Sequence, residues 1–202
     1  FVVTFAGFLA VGNALLPLQI LFLNIVTDVF PALALGFGKQ NRALMQEPPR
    51  DPRLPMLARA DWVLIGAYAL AMTASVLGAY GYATRYLNLS ETEGSTLVFY
   101  ALALAQLLHV FNLYSPRPGA GLGGFFKNEI TRNPYIWLAL ALCIGIMALT
   151  YFVPLLAGVL SVEPLNQESW ALVLLAGVVP VVVVQAVRFI LVRWKSRLQT
   201  EV

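Results

Sequence analysis

The 202-residue chain has a single cysteine, Cys143, and a single histidine, His109. One cysteine excludes an intrachain disulfide and a thiolate cluster, and one histidine excludes a multi-histidine metal centre. Charge is equally scarce: Asp, Glu, Lys and Arg make up 11% of the residues, against roughly 25% in soluble domains. No nucleophile has a base beside it in the sequence. The glycines from Gly119 to Gly124 lack the lysine and hydroxyl residue that follow in a phosphate-binding loop, so that stretch reads as linker. The chain opens at Phe1 with neither methionine nor a charged n-region, which makes a signal peptide a poor reading. Its first apolar run is short for a span and is expected to be the second half of a helix that begins upstream.

What the chain has is apolar length. Hydrophobic residues are 59% of the total, and several runs reach the ~20 residues that cross a hydrocarbon core. The expected fold is an all-α integral membrane bundle of six transmembrane helices, at about 1–13, 15–37, 62–84, 95–114, 134–153 and 169–192. Asp61 is the expected cap of the third helix, and Asn133 with Pro134 opens the fifth. Trp62 and Tyr80, Tyr82 and Tyr86 read as interfacial anchors at the two ends of the third helix. The loops at 39–60 and 115–133 are basic. The first carries Pro48, Pro49, Pro52 and Pro55 and reads as an extended docking segment.

The net charge of +3 reflects topology, not a nucleic-acid partner. Twelve of the thirteen Lys and Arg lie in those two loops and at the C-terminal end; only Arg85 falls on the other side, with Glu91, Glu93, Glu163 and Glu168. Basic residues in short loops stay cytoplasmic, so both loops and the C-terminus are expected in the cytoplasm. The lipid bilayer is the expected partner.

One span is not purely apolar. LQILFLNIVTDVFPALALGFG, from Leu18 to Gly38, places Asn24, Thr27, Asp28 and Pro31 near its middle. A carboxylate at that depth costs roughly 2.5–3.5 kcal/mol on insertion scales and is a functional residue by default. Asn24 and Asp28 are four apart with Thr27 beside them, so the three share a helical face. Pro31 interrupts the helix and leaves the carbonyl of Thr27, four residues earlier, without an amide. Side-chain oxygens plus a freed carbonyl suit a hard cation; the other reading is a polar group that joins helices. Gln106, His109 and Asn112 follow at intervals of three on the fourth helix, either along an ion path or hydrogen-bonded to neighbours. Gln185 reads as a packing hydrogen bond.

Those residues carry a resemblance. LPLQILFLNIVTDVFPALALGFG followed by MQEPPR resembles the sixth transmembrane helix and adjoining loop of type-II, calcium-pump-like P-type cation-transporting ATPases. QLLHVFN is similar to the eighth helix of bacterial members, and NPYIWLALAL and the last span to the ninth and tenth. The resemblance covers essentially the whole chain and numbers its helices five to ten. It implies the membrane half of an ATP-driven cation pump in a bacterial plasma membrane. It implies Asn24 and Asp28 as ligands of the transported cation, with Thr27 as a further ligand. Gln106 stands where some calcium pumps place a glutamate, which implies one ion per cycle or a different ion. Ca2+ leads the cargoes so implied, with Mg2+, Mn2+, Na+, K+ and H+ as others. The phosphorylation and nucleotide-binding domains, and with them ATP and its Mg2+, lie outside this sequence, which alone could not hydrolyse ATP. The phosphorylation domain is the implied partner of loop 39–60. Two other readings stand beside the pump: a free-standing scaffold or regulatory membrane protein, and a secondary ion-coupled transporter.

Overall fold

A computed structural model describes residues 2–8, 14–37, 59–113 and 130–200; the side chains of 7–8, 59–61 and 188–200 lie outside the description. The described elements are helical: α1 (Val2–Phe8), α2 (Pro17–Gly36), α3 (Arg59–Tyr86), α4 (Glu91–His109, continued by a 3-10 turn Val110–Leu113), α5 (Pro134–Phe152), α6 (Pro154–Leu160) and α7 (Gln167–Thr200). Five of them, α2, α3, α4, α5 and α7, are long and apolar enough to cross a membrane. The protein is thus an integral membrane helix bundle. Residues 9–13 of the first expected span, and nearly all of loops 39–60 and 115–133, lie outside the described residues.

Helix α4 is the axis of the bundle. Its residues from Gly94 to Ala103 are all buried, and it packs against α2, α3, α5 and α7. Lipid tails are as apolar as leucine, so helices associate here through close approach of small residues and through polar contacts. Gly177 of α7 shows the first: a Cβ there would lie 2.7 Å from Leu104 Cδ2 and Cγ and 2.9 Å from Leu104 Cβ. Helix α7 also runs through Pro180, which has no amide for the carbonyl of Ala176. Ser75 of α3 donates to that carbonyl at 3.0 Å, which repairs the break across the helix pair.

Several boundaries differ from those read in the sequence. Helix α3 starts at Arg59, so Asp61 lies inside its first turn and not at the cap; Arg59 and Ala60 are good helix formers that extend it. Tyr80, expected at an interface, is buried with its ring against Gly94, whereas Trp62, Tyr82 and Tyr86 are exposed. Helix α4 begins at Glu91, four residues before the expected Ser95. Ser90 and Glu93 close a capping box: Ser90 Oγ accepts from the Glu93 amide at 3.2 Å and Glu93 Oε2 accepts from the Ser90 amide at 2.8 Å. Asn133 caps α5, its Oδ1 accepting from the Tyr135 amide at 3.0 Å. Pro154 ends α5 and opens the short α6. Helix α7 continues past residue 192 to Thr200; at 34 residues it is about 50 Å long.

The start of α2 is pinned from three directions by one side chain. Gln19 is fully buried. Its Oε1 accepts from the Leu16 amide at 3.1 Å and from Ser95 Oγ at 3.1 Å, and its Nε2 donates to the Leu160 carbonyl at 3.0 Å. Gln19→Leu keeps the volume and strands all three partners in a dry setting. That should cost about 2–3 kcal/mol, read as a lower unfolding midpoint of the full-length protein in detergent, with an unchanged midpoint counting against the network.

Candidate cation site

The polar middle of α2 does not break at Pro31. It adopts a π turn over Asn24–Val29, between α segments Pro17–Leu23 and Phe30–Gly36. A π turn pairs each carbonyl with the amide five residues on. In that register the carbonyl that falls to Pro31 is Val26's, not Thr27's as α register would have it. Cys143 of α5 takes it: the thiol donates to Val26 O at 3.1 Å.

The π turn sorts its side chains. Val26 and Thr27 point inward and are buried, while Asn24 and Asp28 are exposed. The Thr27 hydroxyl lies 2.8 Å from Leu23 O, 2.8 Å from Gln106 Oε1 and 3.4 Å from Asp28 Oδ1. A hydroxyl has one proton. Once it is given to Leu23 O, the Gln106 and Asp28 oxygens face the threonine oxygen with no proton between them. Such an arrangement is relaxed by a positive charge. A half-turn of the Gln106 amide, which brings its NH2 to Thr27, closes the group on itself instead. Three of the four residues singled out in the sequence therefore meet at one point, Thr27 joining Asp28 of α2 to Gln106 of α4.

The fourth, Asn24, lies close by. Asn24 and Gln106 both line a cavity of about 350 Å³ between α1, α2, α3 and α4, whose other polar walls are Tyr68 and Thr73. Asp28 is not part of that lining and meets the group through Thr27. Among the described residues no three of His, Cys, Asp and Glu converge, so one carboxylate and several neutral oxygens are what these helices can offer a cation. Oxygen ligands of mixed charge suit hard cations.

His109 and Asn112 do not join this group. His109 stacks on Tyr68, ring centroids 3.8 Å apart, and Asn112 Oδ1 accepts from Gln185 Nε2 at 2.7 Å, tying α4 to α7. Tyr68 and Cys143 escaped sequence reasoning. Each acts on a backbone carbonyl far away in sequence, Ala105 for Tyr68 at 2.8 Å and Val26 for Cys143, and no local pattern signals such a contact.

Comparison with known proteins places the chain. The family model described as "Cation transporting ATPase, C-terminus" matches residues 12–190. The chain belongs to this family. It is 30% identical over 181 residues to a calcium-transporting ATPase of Bacillus subtilis (strain 168), covering 89% of this chain and 19% of the relative. Calcium-transporting ATPase 1 of Bacillus cereus (strain ATCC 10987 / NRS 248) is 29% identical over 196 residues, covering 88% of this chain and 21% of the relative. A plant relative, the endoplasmic reticulum-type calcium-transporting ATPase 4 of Arabidopsis thaliana, is 23% identical over 236 residues, covering 90% and 22%. The cation-ATPase C-terminal region thus spans about a fifth of the length of the curated relatives it matches.

Proposed function

We propose that this chain is the membrane part of an ATP-driven cation pump and carries, on α2 and α4, part of the site for the transported ion. The observation that carries the reading is the meeting of Thr27, Asp28 and Gln106 oxygens at the π turn of α2. Asp28 and Asn24 are the principal ligands, with Thr27 and Gln106 completing this side of the shell. The exposed side chains of Asn24 and Asp28 leave room for ligands that other segments of a longer protein would bring. Ca2+ is the cargo favoured by the names of the relatives, ahead of Mg2+, Mn2+, Na+, K+ and H+.

In this reading ATP and its Mg2+ act on phosphorylation and nucleotide-binding domains of the longer protein, and loop 39–60 receives the phosphorylation domain. The energy of phosphorylation reaches the ion as a movement of α2. A π turn is a place where a helix yields, so the two α segments of α2 can pivot about the oxygens that hold the cation. The membrane is a bacterial plasma membrane, with the basic loops and the C-terminus in the cytoplasm, as the distribution of Lys and Arg supports.

The test uses the full-length protein that contains this chain, reconstituted in liposomes. ATP hydrolysis should be stimulated by micromolar Ca2+ and accompanied by its uptake. Ion-gradient-driven uptake without ATP hydrolysis would replace the pump with a secondary transporter.

A further inference from the structure

We infer that Cys143 of α5 is a positioning residue for the cation site, its thiol holding the Val26 carbonyl and thereby keeping the middle of α2 in π register. The inference rests on the site proposed above and adds to it a residue that touches no ion.

The chemistry begins with Pro31. In π register the amide due to Val26 is residue 31's, and proline has none. An orphaned carbonyl in a dry bundle is costly, and α register offers Val26 a partner, the Phe30 amide, while leaving the Thr27 carbonyl to Pro31 instead. Relaxation to that register shifts the hydrogen-bond ladder by one residue and turns Thr27 and Asp28 away from their present directions. The π turn persists because something else satisfies Val26. Cys143 is fully buried, and its Sγ lies 3.1 Å from that carbonyl. The same repair occurs elsewhere in the bundle, where Pro180 deprives the Ala176 carbonyl and Ser75 of the neighbouring helix donates to it at 3.0 Å. At Val26 the repaired carbonyl is inside the turn that carries Asp28, two residues before it, so the donor on α5 governs the direction of the ligands.

The experiment is a double-mutant cycle in the full-length pump, read as the Ca2+ concentration for half-maximal phosphorylation by ATP and, separately, as the maximal phosphoenzyme level. Cys143→Ala should weaken apparent Ca2+ affinity about tenfold at little loss of maximal level. Cys143→Ser, which keeps a donor, should stay within about threefold of wild type. Pro31→Ala supplies the missing amide, so on that background Cys143→Ala should cause little further loss. Equal losses on both backgrounds, a serine variant as weak as alanine, or no loss at all would overturn the inference and reduce Cys143 to packing volume. Should Cys143→Ala alone fail to fold, recovery of folded protein in the Pro31→Ala double variant supports the role and its absence overturns it. Asp28→Asn in the same assay separates the two levels: retained Ca2+ dependence there defeats the site itself, whereas its loss with an uncoupled Cys143–Pro31 pair defeats the positioning role alone.

Discussion

Asp28→Asn in the full-length pump should abolish Ca2+-dependent phosphorylation over the range in which wild type responds, with the protein still inserted and folded. Asparagine keeps the shape and the hydrogen-bonding reach of aspartate, so the change isolates charge. Attraction between a divalent cation and one carboxylate at about 2.4 Å is roughly 14 kcal/mol at an effective dielectric of about 20. Desolvation of both ions returns most of that. A residue of only a fifth still corresponds to about a 100-fold loss of affinity. Among the described residues no cluster of three His, Cys, Asp or Glu side chains stands ready to compensate. Removing an intramembrane charge should also leave insertion no worse, so normal yield and mobility on gel filtration should accompany the lost activity. Phosphorylation that keeps its Ca2+ dependence in this variant would mean the cation is held elsewhere.

The second large effect concerns the bundle. Gly177→Val should destabilise the protein by roughly 3 kcal/mol, and Gly177→Ala by roughly 2 kcal/mol. The added Cβ collides with Leu104 Cγ and Cδ2, which a rotamer change can withdraw, but also with Leu104 Cβ at 2.9 Å, which no rotamer change can move. Helices α4 and α7 must separate. Gly94 provides the control: a Cβ there meets the Tyr80 ring, nearest at Cε2, 2.6 Å away, and a ring can swing aside at lower cost. Thermal inactivation of the detergent-solubilised pump should rank wild type, Gly94→Ala, Gly177→Ala and Gly177→Val in falling order. If Gly177→Ala melts with wild type, the close approach of α4 and α7 is not what holds the bundle.

Much of this architecture is legible before any coordinates, because the bilayer imposes a length on apolar runs and a sign on the loops. Asn133 and Pro134 announce the start of α5 by local chemistry, and they sit there as cap and first residue. Ser90 and Glu93 announced the start of α4 in the same way, yet the polar stretch around them reads as loop unless the box is recognised. The site was half legible. Asn24, Thr27 and Asp28 are conspicuous because water is missing around them. The π turn is not: it depends on a carbonyl of α2 finding a thiol 117 residues away, and periodicity carries no trace of that. The Gln19 lock to Leu160 joins residues 141 apart and is invisible for the same reason. A helix start is decided within four residues, whereas an orphaned backbone group is satisfied by whatever the fold brings to it.

The Gln106 contact gives the proposed site its second helix. The proposed position of the cation is against α2 at Asp28 and Asn24, on the side where Thr27 joins Gln106 of α4. Its most direct test is the position of the ion itself, seen in a structure of the full-length pump solved in Ca2+. The expected result is a Ca2+ peak about 2.3–2.6 Å from an Asp28 carboxylate oxygen, with the α2 π turn in place. A well-occupied Ca2+ elsewhere in the membrane domain, with Asp28 still making only its contact to Thr27, would contradict it.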